Sequence, residues 1–155
     1  MLIADAFAFE TGLVSVIMNE VPNCKMVWAD DPNQSHMCED EQLAWSMKRF
    51  IEHPQRDPNQ MLIFPMAKAG LQGLKAVSEF GKEAGLLTED AGHFVFGASK
   101  RGWVTWMMGA AGSDQHPKIV GLAPLIPILP ALRKDFHRQW RSYGGFSAAA
   151  YYYID

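Results

Sequence analysis

The stretch FVFGASKRGW at residues 94–103 holds the residues of this sequence that are best suited to chemistry. An apolar run ends in Gly97, a small residue and Ser99, which is typical of the sharp strand-to-helix turn that presents a nucleophilic serine. The second glycine comes one residue later than in the usual Gly-x-Ser-x-Gly pattern, because Arg101 stands in its place and Gly102 follows. A glycine in the first turn of the helix lets the helix lie close to the sheet, and we therefore expect Arg101 to point outward.

The chemistry of such a turn is acyl transfer on an ester or an amide. The Ser99 hydroxyl would attack the carbonyl carbon, and the backbone N–H of Lys100 would stabilise the developing oxyanion at the positive end of the helix dipole. The adjacent basic side chains would add to that field. The alternative is that the short pattern is coincidental and that Ser99 only caps the following helix.

Apolar periodicity predicts the elements that hold this turn. The predicted ranges are helix 1–11, strand 13–18, helix 41–52 capped by Asp40, helix 65–84, strand 93–99, helix 100–112, strand 118–129 and an amphipathic helix after residue 131. Helix 100–112 is expected to turn Trp103, Trp106, Met107 and Ala110 inward. Strands that alternate with long helices indicate an α/β fold with a parallel sheet and helices on both faces.

Three strands make a small sheet with two exposed edges, which is a poor stopping point for a domain. We therefore expect residues 1–155 to form a single, incomplete domain that is the central portion of a larger sheet, with the serine turn at 94–103. The length of 155 residues and a hydrophobic content of 48% agree with one domain that buries a core.

Composition excludes several function classes. The net charge of −3 and the absence of a long basic run argue against nucleic-acid binding. No apolar stretch approaches the roughly 18 residues of a membrane span, and the first ten residues lack the features of a signal peptide. Cys24 and Cys38 fit neither a redox pair nor a zinc site, so we expect no metal and no cofactor. They form one disulfide if the chain is exported, or remain two separate thiols.

Several stretches together resemble one family. They are GASKRGW at 97–103 followed by TW, TGLVSVIMNEVPN at 11–23, ED at 39–40, PMAKAG at 65–70 and YGGFSAAAYYY at 143–153. In this order they are similar to the PhoPQ-activated pathogenicity-related protein family, which includes a secreted autocrine proliferation repressor. The resemblance implies an α/β-hydrolase fold and a secreted or periplasmic location.

The serine turn also resembles that of the glucuronoyl esterases, which carry G-C-S-R-N-G with the same late glycine. Carried over, Ser99 is the nucleophile and Lys100 the oxyanion residue of a serine hydrolase that acts on a small-molecule ester or amide. The alternative implied by the family resemblance is a non-catalytic, secreted signalling or proliferation-regulating factor, for which a protein partner is expected.

The general base is harder to assign. Hydrolases of this fold place the acid and then the histidine after the serine in the chain. Among the histidines, only His137 follows a strand on the side of the sheet where Ser99 emerges, and it is the candidate base. The alternative, a solvated histidine on a helix face, is favoured. His93 lies at the opposite end of its strand from Ser99, and His116 lies near the wrong end of the sheet.

The chain holds four candidate acids, and each has a structural alternative. Asp135 faces a different direction from its neighbour His137 on a helix, and Asp114 shares the wrong end of the sheet. Asp30 and Asp31 follow the first predicted strand and are candidates for a carboxylate near the site, although such residues are more often loop or turn groups. We therefore expect the usual acid and histidine to lie beyond Asp155 in a longer protein, so that this chain is inactive or incomplete on its own.

The aromatic end of the chain, with Trp140, Tyr143, Phe146 and YYY at 151–153, allows two interpretations. The segment covers the serine pocket and binds an aromatic or sugar-like group. Alternatively, and favoured here, it packs on the core and leaves an exposed patch where the remaining part of the domain docks.

Overall fold

A computed structural model describes residues 3–53, 55–112, 117–126 and 132–154 of the chain. Within these ranges the fold is α/β, because helices combine with a small parallel sheet of two strands. The elements in chain order are α1 (Ile3–Thr11), α2 (Asp40–Glu52), a 3-10 turn (Pro58–Gln60), α3 (Ile63–Glu83), β1 (His93–Ala98), α4 (Lys100–Gly112), β2 (Ile119–Leu125), α5 (Leu132–Tyr143) and a 3-10 helix (Ala148–Tyr153).

The sheet positions the serine turn. β1 and β2 pair in parallel, in a register that runs from Phe94 opposite Gly121 to Ala98 opposite Leu125. The predicted strand at 93–99 and the predicted helix at 100–112 are confirmed almost to the residue. The predicted strand at 118–129 is confirmed over β2, and its residues 127–129 lie outside the described ranges.

The prediction of a strand at residues 13–18 is wrong. α1 ends at Gly12 as expected, with a positive φ of 67°, but the segment that follows pairs with no strand among the described residues. Its apolar side chains are exposed, with Leu13 at 67% and Val16 at 57%. β-branched residues favour extended backbone, yet a strand exists only where a neighbour supplies hydrogen bonds. The described sheet therefore has two strands instead of three.

The core lies between α2, α3 and α4. Its buried members are Leu43, Ile63, Met66, Ala67, Val104 and Met108. α4 packs against α3 and against both strands, and α3 approaches it so closely that a Cβ on Gly70 would overlap the Met108 side chain. α3 begins two residues earlier than predicted, so Pro65 still lies in its first turn, where proline is tolerated.

The buried face of α4 differs from the expectation. Val104, Thr105 and Met108 are buried, whereas Trp106 is 51% exposed and Ala110 is also exposed. α4 is apolar almost throughout, so helical periodicity alone does not single out the buried side. No helix in the described ranges is both long enough and apolar enough to cross a membrane.

Candidate active site

Ser99 occupies the corner between β1 and α4. Its φ of 55° lies in the left-handed region, which costs a non-glycine residue about 1 to 3 kcal/mol and persists only where the surroundings enforce it. The Ser99 N–H donates to the Leu125 carbonyl oxygen at 3.0 Å, and the Ser99 carbonyl accepts from the Trp103 N–H at 3.1 Å. The Ser99 side chain is exposed. The backbone therefore joins β1, β2 and α4 and leaves the hydroxyl in solvent.

Two glycines allow this close approach. A Cβ on Gly97 would lie 2.5 Å from the Arg101 carbonyl oxygen, and a Cβ on Gly102 would lie 2.7 Å from the Leu125 carbonyl oxygen. These neighbours are backbone atoms, so side-chain rotation relieves neither overlap. The late glycine is thus explained: position 102 lies against the end of β2, whereas the Arg101 side chain points away, as predicted, toward Glu39.

Lys100 is the first residue of α4, and its backbone N–H belongs to the helix turn whose donors have no partner within the helix. Its side chain is only 9% exposed and binds two carboxylates, with Nζ 2.9 Å from Glu39 Oε2 and 3.0 Å from Asp40 Oδ2. Because these carboxylates offset its charge, the Lys100 ammonium adds less to the field at Ser99 than the sequence suggested. The role of the Lys100 N–H at the oxyanion stays a prediction.

Glu39 binds both basic residues that follow the serine. Arg101 donates from Nη1 to Glu39 Oε2 at 3.0 Å and from Nη2 to Oε1 at 2.7 Å. The Arg101 hydrogen bonds, followed by the contact with Lys100, lower the pKa of Glu39 from its ordinary 4.5 to about 2. The same hydrogen bonds raise the pKa of Arg101. Glu39 therefore stays ionised over the whole physiological range.

Asp40 does not cap α2, contrary to the prediction. It is the first helical residue, Glu39 occupies the cap position, and no side chain caps the helix. The Asp40 carboxylate instead binds Lys100 and accepts a hydrogen bond from the Tyr153 hydroxyl at 2.9 Å. Burial, then the adjacent Asp40 charge, raises the pKa of Tyr153. Of the tail rings, Tyr153 packs against the core, which agrees with the favoured interpretation of the tail.

Comparisons with known proteins identify the family of this chain. Residues 3–155 match the sequence pattern of the PhoPQ-activated pathogenicity-related proteins. The chain belongs to the PhoPQ-activated pathogenicity-related protein family. It is 34% identical over 140 residues to the autocrine proliferation repressor protein A of Dictyostelium discoideum, an alignment that covers 90% of this chain and 26% of the relative. The chain thus spans about a quarter of that relative's length. No solved structure matches the chain.

The histidines of this PhoPQ-activated pathogenicity-related family member do not form a triad with Ser99 in the described structure. His137 is exposed on α5 and makes no hydrogen bond to any described residue, so its role as the base stays a prediction. His93 lies at the far end of β1, where its Nε2 is 2.7 Å from Ser78 Oγ and burial lowers its pKa. Asp114, His116 and Asp155 lie outside the described residues.

Sequence reasoning missed the roles of Glu39 and Tyr153 in this family member. The pair ED at 39–40 is one of the stretches that resemble the family, but the sequence assigns no function to Glu39. A disulfide joins Cys24 to Cys38, whose Cα atoms are 4.9 Å apart, directly before Glu39. Of the two alternatives, bonded or separate thiols, the structure has the disulfide. The cysteines close a loop that ends at the carboxylate that holds Lys100 and Arg101.

The low pKa of Glu39 predicts a pH dependence of stability. Its folded pKa of about 2 lies below the ordinary 4.5, so its contribution is complete above pH 4.5 and is lost as the pH falls toward 2. Glu39 is 41% exposed, and water screens its ion pairs, so we expect about 1 to 2 kcal/mol. Urea unfolding should show a larger deficit of Glu39→Gln relative to wild type at pH 7 than at pH 3. An equal deficit at both pH values would contradict this origin.

Proposed function

We propose that this chain carries the nucleophile of an esterase-type serine hydrolase on an α/β-hydrolase-like sheet, with Ser99 as the attacking residue. The left-handed φ of 55° at Ser99 carries the proposal. Strain of this kind at an exposed serine between a strand and a helix is typical of nucleophiles. A serine that only caps a helix typically has extended backbone and needs no such strain.

The proposed reaction is acyl transfer in two steps. The Ser99 Oγ forms a bond to the carbonyl carbon of an ester or amide while its proton passes to a base, and the Lys100 N–H donates to the resulting oxyanion. The carbon–heteroatom bond of the leaving group then breaks, and the base returns the proton to the leaving alcohol or amine. Water attacks the acyl-serine in the same way, which releases the acid and restores Ser99.

The base that takes the Ser99 proton has two candidate sources. His137 remains the candidate within the chain, because it follows β2 on α5. In the alternative that we prefer, polypeptide beyond the matched stretch supplies the acid and the histidine, since that stretch is 26% of the relative's length. Without a base, acyl transfer is expected to slow by a factor on the order of 10⁶.

A fluorophosphonate probe tests the proposal on the chain as it stands. The probe forms an O–P bond at an activated serine and releases fluoride. We expect labelling at Ser99, accelerated by added imidazole as a substitute base, and a fall on the order of 100-fold or more in Ser99→Ala. Ser142→Ala is the matched control, because Ser142 is also exposed but lies within α5. Equal labelling of wild type and Ser99→Ala, with and without imidazole, would refute the proposal.

We also propose a secreted or periplasmic location. The Cys24–Cys38 disulfide supports it, because disulfides persist in oxidising compartments and are rare in the cytosol of mesophiles. Thiol counting on protein purified under non-reducing conditions from its native compartment tests this. No free thiol is expected, and two free thiols would contradict the location.

A second candidate is a non-catalytic signalling or proliferation-regulating factor. The printed name of the relative, an autocrine proliferation repressor, favours it. Phe94, Phe96 and Val120 on the two strands are exposed at 57%, 36% and 61%, and exposed apolar surface of this kind is where a protein partner docks. A growth-inhibition assay in which wild type and Ser99→Ala are equally active, with no labelling of either, would favour this candidate over the hydrolase.

A further inference from the structure

Among the described residues, Glu39 is the carboxylate that forms ion pairs with both side chains following the serine. Arg101 donates to both of its oxygens, at 3.0 and 2.7 Å, and the Lys100 Nζ lies 2.9 Å from Oε2. Such a two-pronged guanidinium–carboxylate pair fixes direction as well as distance. Two consecutive residues of the turn are thereby attached to one point at the start of α2.

Glu39 itself is firmly held. Its φ of 53° lies in the left-handed region, like that of Ser99, and a glutamate adopts this conformation only where its surroundings enforce it. On one side its neighbour Cys38 is bonded to Cys24. On the other side α2 begins, anchored by buried Leu43 and Gln42. A strained residue with fixed flanks is suited to hold another strained residue in place.

We propose that Glu39 is a positioning residue for the serine turn, which it stabilises by binding Arg101 and Lys100 and so fixing the Lys100 backbone N–H beside the Ser99 hydroxyl. This inference rests on the proposed hydrolase function. Once both side chains bind one carboxylate, the peptides of residues 99–101 lose freedom to rotate, so the oxyanion donor is oriented before the substrate arrives.

The effect of Glu39 runs chiefly through Arg101. Lys100 keeps a second carboxylate, Asp40, at 3.0 Å when Glu39 is lost, whereas the hydrogen bonds of the Arg101 side chain in the described structure all go to Glu39. Loss of the Glu39 charge therefore removes these hydrogen bonds of Arg101, near which only the charges of Asp40 and Glu20 remain among the described residues, and leaves Lys100 paired. Glu39 and Arg101 are therefore expected to act as a coupled pair, and a double-mutant cycle measures the coupling between them.

The first test measures how fast a fluorophosphonate labels Ser99. Glu39→Gln is expected to lower the maximal labelling rate about 10-fold without changing the probe concentration at half-maximal rate, because positioning acts after binding. Glu39→Asp, which keeps the charge, should retain more of the rate than Glu39→Gln. Arg101→Met should lower the maximal labelling rate about as much as Glu39→Gln does. The double variant should lower that rate about 10-fold instead of 100-fold, as expected of two groups that act as one.

Glu41→Gln is the matched control, because Glu41 is a carboxylate in the first turn of the same helix and makes no ion pair with a described residue. It should label at the wild-type rate. A wild-type rate in Glu39→Gln, or independent effects of Glu39→Gln and Arg101→Met that multiply in the double variant, would overturn the positioning role.

Hydrogen exchange provides a readout that does not depend on labelling. The Ser99 N–H is bonded to Leu125 and the Trp103 N–H to Ser99. Glu39→Gln should speed exchange of both amides about 10-fold more than that of the Leu87 amide, which is bonded to Gly81 away from the turn. Unchanged protection at Ser99 and Trp103 would overturn the positioning role. Absence of wild-type labelling with altered exchange would instead overturn the hydrolase function alone.

Discussion

Gly102→Ala should lower the free energy of unfolding by about 2 to 3 kcal/mol, although alanine is the better helix former. The added Cβ would lie 2.7 Å from the Leu125 carbonyl oxygen and 3.0 Å from the Gly97 carbonyl oxygen. Both are backbone atoms at the ends of the two strands, so α4 must move away from the sheet. The Leu125 oxygen also accepts a hydrogen bond from the Ser99 N–H. Displacement of this oxygen weakens that hydrogen bond, which holds the serine turn in place. Urea unfolding followed by circular dichroism measures the loss.

Two other glycines serve as controls for Gly102→Ala. A Cβ on Gly145 meets nothing within 4 Å, so Gly145→Ala should change the free energy of unfolding by less than about 0.5 kcal/mol. The three atoms nearest to a Cβ on Gly109, in the same helix, all belong to the Leu122 side chain, which can rotate away, so Gly109→Ala should cost less than Gly102→Ala. If Gly102→Ala unfolds at the same urea concentration as Gly145→Ala, the close packing of α4 on the strand ends is wrong.

The serine turn is predictable from the sequence because the residues that determine it are close together in the chain. An apolar run, small residues and a second, largely apolar stretch lie within 94–112 and determine β1, the turn and α4 almost without reference to the rest of the chain. The late glycine was recognisable as a variant, but its cause was not. Position 102 needs a glycine because of Leu125, a neighbour that comes near only once β2 has paired with β1.

The rest of the site depends on contacts between distant parts of the chain. Arg101 binds Glu39 across 62 residues of sequence, and Tyr153 binds Asp40 across 113. Local periodicity does not predict contacts between residues so far apart in the chain. The same limit explains the wrong strand at 13–18, since an apolar β-branched run shows that extended backbone is favoured but not that a partner strand is present. Asp40 was assigned as a cap from its position, whereas Lys100 and Tyr153 decide where its carboxylate points.

Loss of the Cys24–Cys38 disulfide should destabilise the chain by about 3 kcal/mol, since the bond closes a loop with a sequence separation of 14 and restricts the unfolded state. The folded loop has further supports. Met26 and Met37 exchange backbone hydrogen bonds of 2.9 Å, and the buried Gln42 Nε2 donates to the Asn23 and Met37 carbonyls at 2.6 and 2.8 Å. Cys24→Ser/Cys38→Ser is therefore expected to fold and to unfold at a lower urea concentration.

Reductant provides the internal control for this prediction, because the chain contains 2 cysteines in total. Dithiothreitol should shift wild-type unfolding to the urea concentration at which Cys24→Ser/Cys38→Ser unfolds and should leave that variant unchanged.

Since Glu39 follows Cys38 directly, the reduced protein should also label more slowly at Ser99, by up to the 10-fold expected of Glu39→Gln. A reduced wild type with unaltered unfolding would show that the pair contributes no cross-link. Lower stability with an unaltered labelling rate would show that α2 alone suffices to hold Glu39 against Arg101.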